Sequence, residues 1–485
     1  MNRSDRNAAC GCCAALGRRE FITITTGMAG LAAARSAAAA DVLNYRPAAK
    51  AGGNLRAIFF YPPSQEFKRN PDAWWSWPGN EYDAEGRQKR YTEELRNMER
   101  RLGLKLQVDS HPVATAEEAQ RLTAEVKGQK LDGLLLFTFF NFSFPIAERM
   151  ALECVKAGVP VIFFAGLGVH HGSVLKYTKL PGLYFIQAMD DFTAIEAGLR
   201  MICARKRMSQ TLLLSVVEAP AISETVESFT GIRVRVIPFA HYVEEFGKAP
   251  VNGAGRQVLD GLVNTAREVR GVTPGALENA LRAHLALKSL LAREGADAVT
   301  MNCLRRGMLK PCIGFSLLNG ELIPAVCEND MTAAYTQILG QLLTGRPGFQ
   351  HNPCYETERN HYYASHCTCS PRLYGPDGEQ LPYLLRRFAH TNEGSCAIQV
   401  FWKGGDPVTM IHFYPGEKPA LDVYAGKVVA SHPMPPAAGC TTNVEIELND
   451  HADAMAIKGH HNVLYAGDFA RRFRQFARLY RIELV

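Results

Sequence analysis

Residues Pro324–Cys369 read PAVCENDMTAAYTQILGQLLTGRPGFQHNPCYETERNHYYASHCTC. The apolar run ends in a carboxylate, Glu328, where a predicted strand gives way to a predicted helix. Thr344-Gly345-Arg346-Pro347 stops that helix, and the chain passes into a stretch rich in His, Asn and Cys that reads as a loop. Polar side chains gathered just past a buried strand mark the usual place of a site in an α/β sheet. Near the far end of the chain, Gly459-His460-His461-Asn462 forms a second polar cluster. The functional reading turns on whether these two clusters face each other.

Working outward, the chain from Asp41 alternates strands and helices. Ala57–Tyr61 is a short apolar run stopped by Pro62-Pro63, the mark of a buried strand feeding a loop. Helices are predicted over 92–102, 115–127 and 146–157, and strands over 104–108, 131–137 and 160–164. Thr115 with Glu118 three residues later makes a capping box. Further strands are predicted over 211–217, 232–238 and 297–301, with helices over 192–208 and 274–294. Residues 251–272 read as a linker or an exposed helix. This alternation predicts parallel sheets with helices on both faces. After Cys369, short strands over 397–402, 408–413, 421–423 and 444–448, parted by Gly, Pro and Asp turns, predict an antiparallel region. His170 and His171 follow a strand end and so have a plausible post at a sheet crevice.

The chain has 485 residues, more than one hydrophobic core normally supports, so two or three domains are expected. The net charge is +6, and Arg3, Arg6, Arg18, Arg19 and Arg35 against Asp5 and Glu20 place half of it in the first forty residues. The small remainder argues against a nucleic-acid or membrane surface. No GxGxxG follows any predicted strand, which argues against a nicotinamide or flavin enzyme.

Arg18-Arg19-Glu20-Phe21-Ile22 opens an uncharged run that closes with Ala37-Ala38-Ala39-Ala40, a pattern resembling a bacterial twin-arginine signal. The run is too short and too weakly apolar to span a bilayer of about 30 Å. Residues 1–40 therefore predict export to the periplasm by the twin-arginine machinery, with folding before crossing. Of thirteen cysteines, ten lie beyond this segment. A periplasmic setting allows some to pair, whereas folding in a reducing cytoplasm does not require it. Cys367-Thr368-Cys369 lacks the second half of a usual zinc motif. Trp74, Trp75 and Trp77 either pack under their loop or present an apolar platform for a sugar ring or a neighbouring subunit. Trp75 is the candidate substrate contact.

The run Pro324–Asp330, followed by a helix ending at Leu342-Leu343-Thr344-Gly345-Arg346-Pro347, resembles the core motif of the L-fucose isomerase and L-arabinose isomerase superfamily. Gly459–Asp468 resembles that family's C-terminal end, and His366-Cys367 resembles a His-Cys pair found in many shorter members. The resemblance implies two Rossmann-like α/β domains followed by a C-terminal domain with an antiparallel β-barrel. Placed on this chain, these are 41–190, 191–346 and 347–485, in a homo-oligomer with sites near subunit contacts. It further implies aldose-ketose isomerisation of a small sugar, with manganese or another divalent metal stabilising an enediolate and carboxylates acting as bases. By motif, Glu328 would be a metal ligand and base, His461 a metal ligand, and His366 a neighbour of the substrate. The position of a second catalytic and metal-binding carboxylate falls on Asn352, an uncharged amide that cannot act as a base at neutral pH. His351 or Asp330 are the residues that could compensate. The alternative is a catalytically inactive member that binds a carbohydrate or a partner through the same cleft.

Overall fold

The computed structural model describes residues 42–69, 83–304, 306–388, 392–433 and 440–485. Residues 1–40, where the sequence predicts a twin-arginine signal, and the tryptophans Trp74, Trp75 and Trp77 lie outside the described residues. No helix among the described residues is long and apolar enough to cross a membrane.

Strands β1 (Asn54–Phe60), β2 (Lys105–Val108), β3 (Gly133–Thr138), β4 (Val161–Gly166) and β5 (Leu183–Ala188) form an all-parallel sheet in the order β2-β1-β3-β4-β5. β3 and β4 are buried along their whole length. Their uninterrupted apolar sequences follow from cover on both faces. Helices Ala84–Leu102 and Phe192–Met208 pack on one side, and Ala116–Gly128 and Phe144–Lys156 on the other. The capping box of Thr115 and Glu118 is present at the start of its helix.

A second sheet is built from β6 (Leu212–Val217), β7 (Ser223–Val226) and β8 (Arg233–Pro238). The chain then leaves it through the helix Gly253–Thr265 and the short strand β9 (Glu268–Arg270), and returns with β10 (Ala298–Met301) and β11 (Ala325–Cys327). The order is β11-β10-β6-β8-β7, parallel except for the edge strand β7. The helix Pro274–Glu294 has the bounds its sequence predicts, capped by Thr273 and ended by Gly295 at φ 61°. Its Leu285, Leu287, Leu290 and Leu291 are buried, each contributing about 2 kcal/mol of apolar transfer.

The stretch after Pro347 is a β-hairpin, not the loop its composition suggests: β12 (Phe349–Glu356) pairs antiparallel with β13 (His361–His366). Phe349, His351, Tyr362, Ala364 and His366 point to one side of that hairpin, so two histidines stand where a period-2 apolar pattern would otherwise have shown. Next come β14 (Tyr383–Phe388) and β15 (Asn392–Val400), which join β9 in a three-stranded sheet. β16 (Pro407–Tyr414), β17 (Ala420–His432), β18 (Thr442–Leu448) and β19 (Asn462–Ala466) then complete the hairpin into a closed six-stranded antiparallel barrel. The terminal strand β20 (Glu483–Leu484) runs parallel along β17.

The α/β class with parallel sheets and an antiparallel barrel thus agrees with the sequence reading at that level. The helix Met331–Thr344 joins the second sheet to the barrel. Its Ile338 and Leu339 share one apolar cluster with Ile202 beneath the first sheet and with Val463 and Tyr465 on β19. The approach is close because Gly340 lacks a side chain: a Cβ there would fall 2.1 Å from the Tyr465 hydroxyl. This contact holds the helix against β19, and the two polar clusters stand at the beginnings of those two elements.

Candidate metal centre at the mouth of the barrel

β11 ends at Cys327, and the next two residues are left-handed, Glu328 at φ 65° and Asn329 at φ 54°. Such a conformation costs roughly 1–3 kcal/mol for a residue with a Cβ and persists only where its surroundings impose it. Here the surroundings are named groups. The amide of Gln350 on β12 takes the Cys327 N–H at 2.7 Å and donates to the Cys327 carbonyl at 3.2 Å. The Asn329 N–H donates to the Met301 carbonyl at 3.1 Å, and the Ser215 hydroxyl donates to the Asn329 side chain at 2.8 Å. Asp330 then caps the helix Met331–Thr344, accepting the Ala333 N–H at 2.9 Å. The tight turn turns the Glu328 carboxylate toward the end of the barrel.

Two buried histidines meet it there. His366, the last residue of β13, brings Nε2 to 3.6 Å from one Glu328 oxygen, and His461, just before β19, brings Nε2 to 3.7 Å from the other. Both distances are too long for hydrogen bonds. Among the described residues, neither ring nitrogen of His366 has a hydrogen-bond partner, nor does Nε2 of His461, although all three are buried. The other nitrogen of His461, Nδ1, lies 2.8 Å from the second Asp330 carboxylate oxygen. A carboxylate only accepts, so Nδ1 carries a proton and Nε2 is the nitrogen left facing Glu328. His460, on the solvent side, packs against His461 with ring centroids 4.3 Å apart and planes tilted by 56°.

The electrostatics match an anionic donor set. The facing His366 holds Glu328 below the usual carboxylate range, against the opposing effect of burial and with help from His461 and His460. Burial pushes Asp330 up, but its bonds to His461 and the Ala333 N–H outweigh that and hold it below its ordinary value. Burial also opposes the charged form of His366, and the Glu328 carboxylate and nearby thiols outweigh it in the other direction. Deeper in the barrel, His351 is neutral: burial pushes it down to about 3. Its Nδ1 donates to the Phe349 carbonyl at 3.0 Å, leaving Nε2 to accept the Tyr362 hydroxyl at 2.9 Å. The Asn462 amide donates to the same hydroxyl at 3.3 Å. With both nitrogens engaged, His351 does not stand in for a missing carboxylate.

Of the residues singled out in the sequence, Glu328, His366 and His461 are brought together. Asn352 is half-buried on β12, one pleat beyond Gln350 on the same face of the strand, and stands opposite Ser365 of β13. Trp75 lies outside the described residues. His170 belongs to the first sheet, where its ring stacks on Phe144 at 4.6 Å, and it takes no part in this cluster. The sequence reading assigned no donor role to His460 or Cys327. Glu328, His460 and His461 form one group whose donor atoms lie within 4.8 Å of one another, and Cys327, Glu328 and His366 form a second. The His-His doublet and the cysteine next to the carboxylate were visible signals for both.

The orphaned imidazole nitrogens and the ionised carboxylates fit a divalent cation. Glu328 and His461 would hold it, with His460 on the open side. A cavity of about 780 Å³ elsewhere, lined by Glu245, Lys248, Arg282 and Ser289, has no comparable convergence. Its Arg282 is bound to the Ala249 carbonyl and its Ser289 to Glu245. No protein-family model matches this chain, and no curated protein is significantly similar to it.

Proposed function

We propose that this protein is a divalent-metal-dependent aldose-ketose isomerase of the L-fucose and L-arabinose isomerase type, acting on a small sugar. The observation that carries this reading is the Glu328 carboxylate lying between the Nε2 atoms of two buried histidines, at 3.6 and 3.7 Å, with one of them oriented by Asp330. When bound, a manganese-type cation supplies positive charge where an enediolate develops. The chain's own residues do the rest. Asp330 keeps the proton on His461 Nδ1, so that Nε2 stays a ligand. Glu328, held ionised, is both a ligand and the group able to take a proton from the carbon beside the sugar carbonyl and return it to the neighbouring carbon. His366 and the half-buried Asn352 border the space in which the sugar would lie.

Export by the twin-arginine route, action in the periplasm and assembly into a homo-oligomer belong to the same proposal, on the strength of Arg18-Arg19 and the apolar run that follows. One observation favours a second reading, a non-catalytic carbohydrate-binding or partner-binding protein. Asn352 stands where a second base is expected, and loss of a general base costs about 10²–10⁴-fold in rate.

The two separate in one experiment. Purified protein is stripped with chelator, reloaded with Mn2+ and assayed for ketose formation over a panel of aldoses. Manganese-dependent turnover that is lost in Glu328→Gln and in His461→Ala supports the isomerase. Manganese or sugar binding without any ketose selects the binding protein, and a chain that binds neither sinks both the isomerase and the carbohydrate-binding reading.

A further inference from the structure

We propose that this centre takes a second cation, a thiophilic one of the zinc class, held by Cys327, His366 and Glu328, with Glu328 bridging to the first. Three observations carry it. Cys327, Glu328 and His366 offer one donor atom each within 4.8 Å of one another, as a group distinct from Glu328, His460 and His461. The two groups share only Glu328, and its two oxygens face opposite histidines, one toward His366 and the other toward His461. His366 is buried with both ring nitrogens unpartnered, which is costly for a polar ring unless something is bound there.

The donor chemistry separates the two positions. Thiolate and imidazole select zinc-class ions, while carboxylate, amide and imidazole suit manganese. Tetrahedral zinc with bonds of about 2.0–2.3 Å places its donor atoms roughly 3.3–3.8 Å apart. The separation of 3.6 Å between His366 Nε2 and Glu328 already falls in that range. A further sulfur is at hand: the Cys303 thiol, past the end of β10, is an electrostatic neighbour of the Cys327 thiol. Both cysteines are thiols in this structure and both are buried, so they are kept from bulk solvent beside the carboxylate. A parallel register that sets Met301 opposite Cys327 brings the two chain ends together. The inference needs no isomerase activity, since it concerns donor atoms alone.

Cobalt tests it. Full-length protein, reduced and stripped of metal, is titrated with Co2+ and followed by absorption. Two equivalents are expected. One gives an intense near-ultraviolet thiolate-to-cobalt band that Zn2+ removes and Mn2+ does not, and it survives His461→Ala. The other gives no such band and is lost in His461→Ala. Cys327→Ser abolishes the band, and Cys303→Ser weakens it. No band in the parent, or an unchanged band in a folded Cys327→Ser protein, overturns the proposal. Should Cys327→Ser fail to fold, His366→Ala takes its place with the same expected loss of the band. Manganese-dependent turnover that persists in the absence of the band refutes this second cation while leaving the isomerase reading intact.

Discussion

Asp330 and His461, 131 residues apart, are joined at 2.8 Å, and the same aspartate caps the helix Met331–Thr344 through its other oxygen. One carboxylate thus starts a helix and fixes an imidazole tautomer. Asn is as good a cap as Asp, but its amide can offer N–H to His461 Nδ1 and so unsettle that tautomer. Asp330→Asn is expected to change stability by less than about 1 kcal/mol while weakening Mn2+ binding 10–100-fold. Asp330→Ala loses both functions. Calorimetric titration alongside thermal melts checks this, and undiminished Mn2+ affinity in Asp330→Asn would show that the carboxylate does not orient the ligand.

Gly340 faces the Tyr465 hydroxyl so closely that an added Cβ would lie 2.1 Å from it. Tyr465 is fully buried and its hydroxyl donates to the Gln337 carbonyl at 3.2 Å, so it has little room to withdraw. Gly340→Ala is expected to cost about 1–3 kcal/mol, seen as a lower urea midpoint at an unchanged slope. Because this contact sets Glu328 against His461, Mn2+ affinity should fall with it. A variant as stable as the parent contradicts the packing described.

Glu445 on β18 sits among His361 at 2.7 Å, His432 at 2.6 Å and Arg359 at 3.0 Å. Burial pushes its carboxyl up, but these partners and Tyr363 outweigh that and hold it at about 2, against an ordinary value of 4.5. The folded value is the lower one, so folding favours the ionised form. The stabilisation is complete above pH 4.5 and disappears as pH falls toward 2. Urea midpoints for parent and Glu445→Gln should therefore converge over that range; a gap that stays constant down to pH 2 would contradict the assignment.

His284, within the helix Pro274–Glu294, is fully buried, and burial and then Lys288 push it down to about 3 from an ordinary 6.5. Folding favours its neutral form, so stability is full above pH 6.5 and declines as pH falls toward 3. Between pH 7.5 and pH 5 the balance between parent and His284→Leu should shift toward the variant by ~2 kcal/mol. Denaturant titrations at the two pH values measure it, and no shift would mean that the ring is charged in the fold.

Much of the scaffold was legible because period and punctuation agree. Thr273 and Gly295 bracket a helix whose bounds the sequence sets, and β3 and β4 show as unbroken apolar runs. Glu328 and His461 were legible as polar residues standing at the ends of apolar strands. The hairpin of β12 and β13 was not, since His351 and His366 occupy inward positions and break the apolar alternation. Asp330 was read only as a substitute carboxylate. Its double role depends on the left-handed turn at Glu328 and Asn329, which composition does not reveal. The pairing of Cys327 with His366 was hidden for another reason: it arises where a parallel sheet meets a barrel, and no local pattern encodes that meeting.

The order of the barrel strands also sets a timetable. β12 cannot be closed on its second side until β19 is made, more than a hundred residues later, and His460 and His461 arrive only with that last barrel strand. Until then the strained turn at Glu328 has His366 from β13 but lacks His460 and His461, and the Gln350 amide bridges it to β12. Non-local strand pairing of this kind is slow. A chain emerging from the ribosome therefore has every strand of its two parallel sheets before the His460 and His461 donors of the proposed cation site.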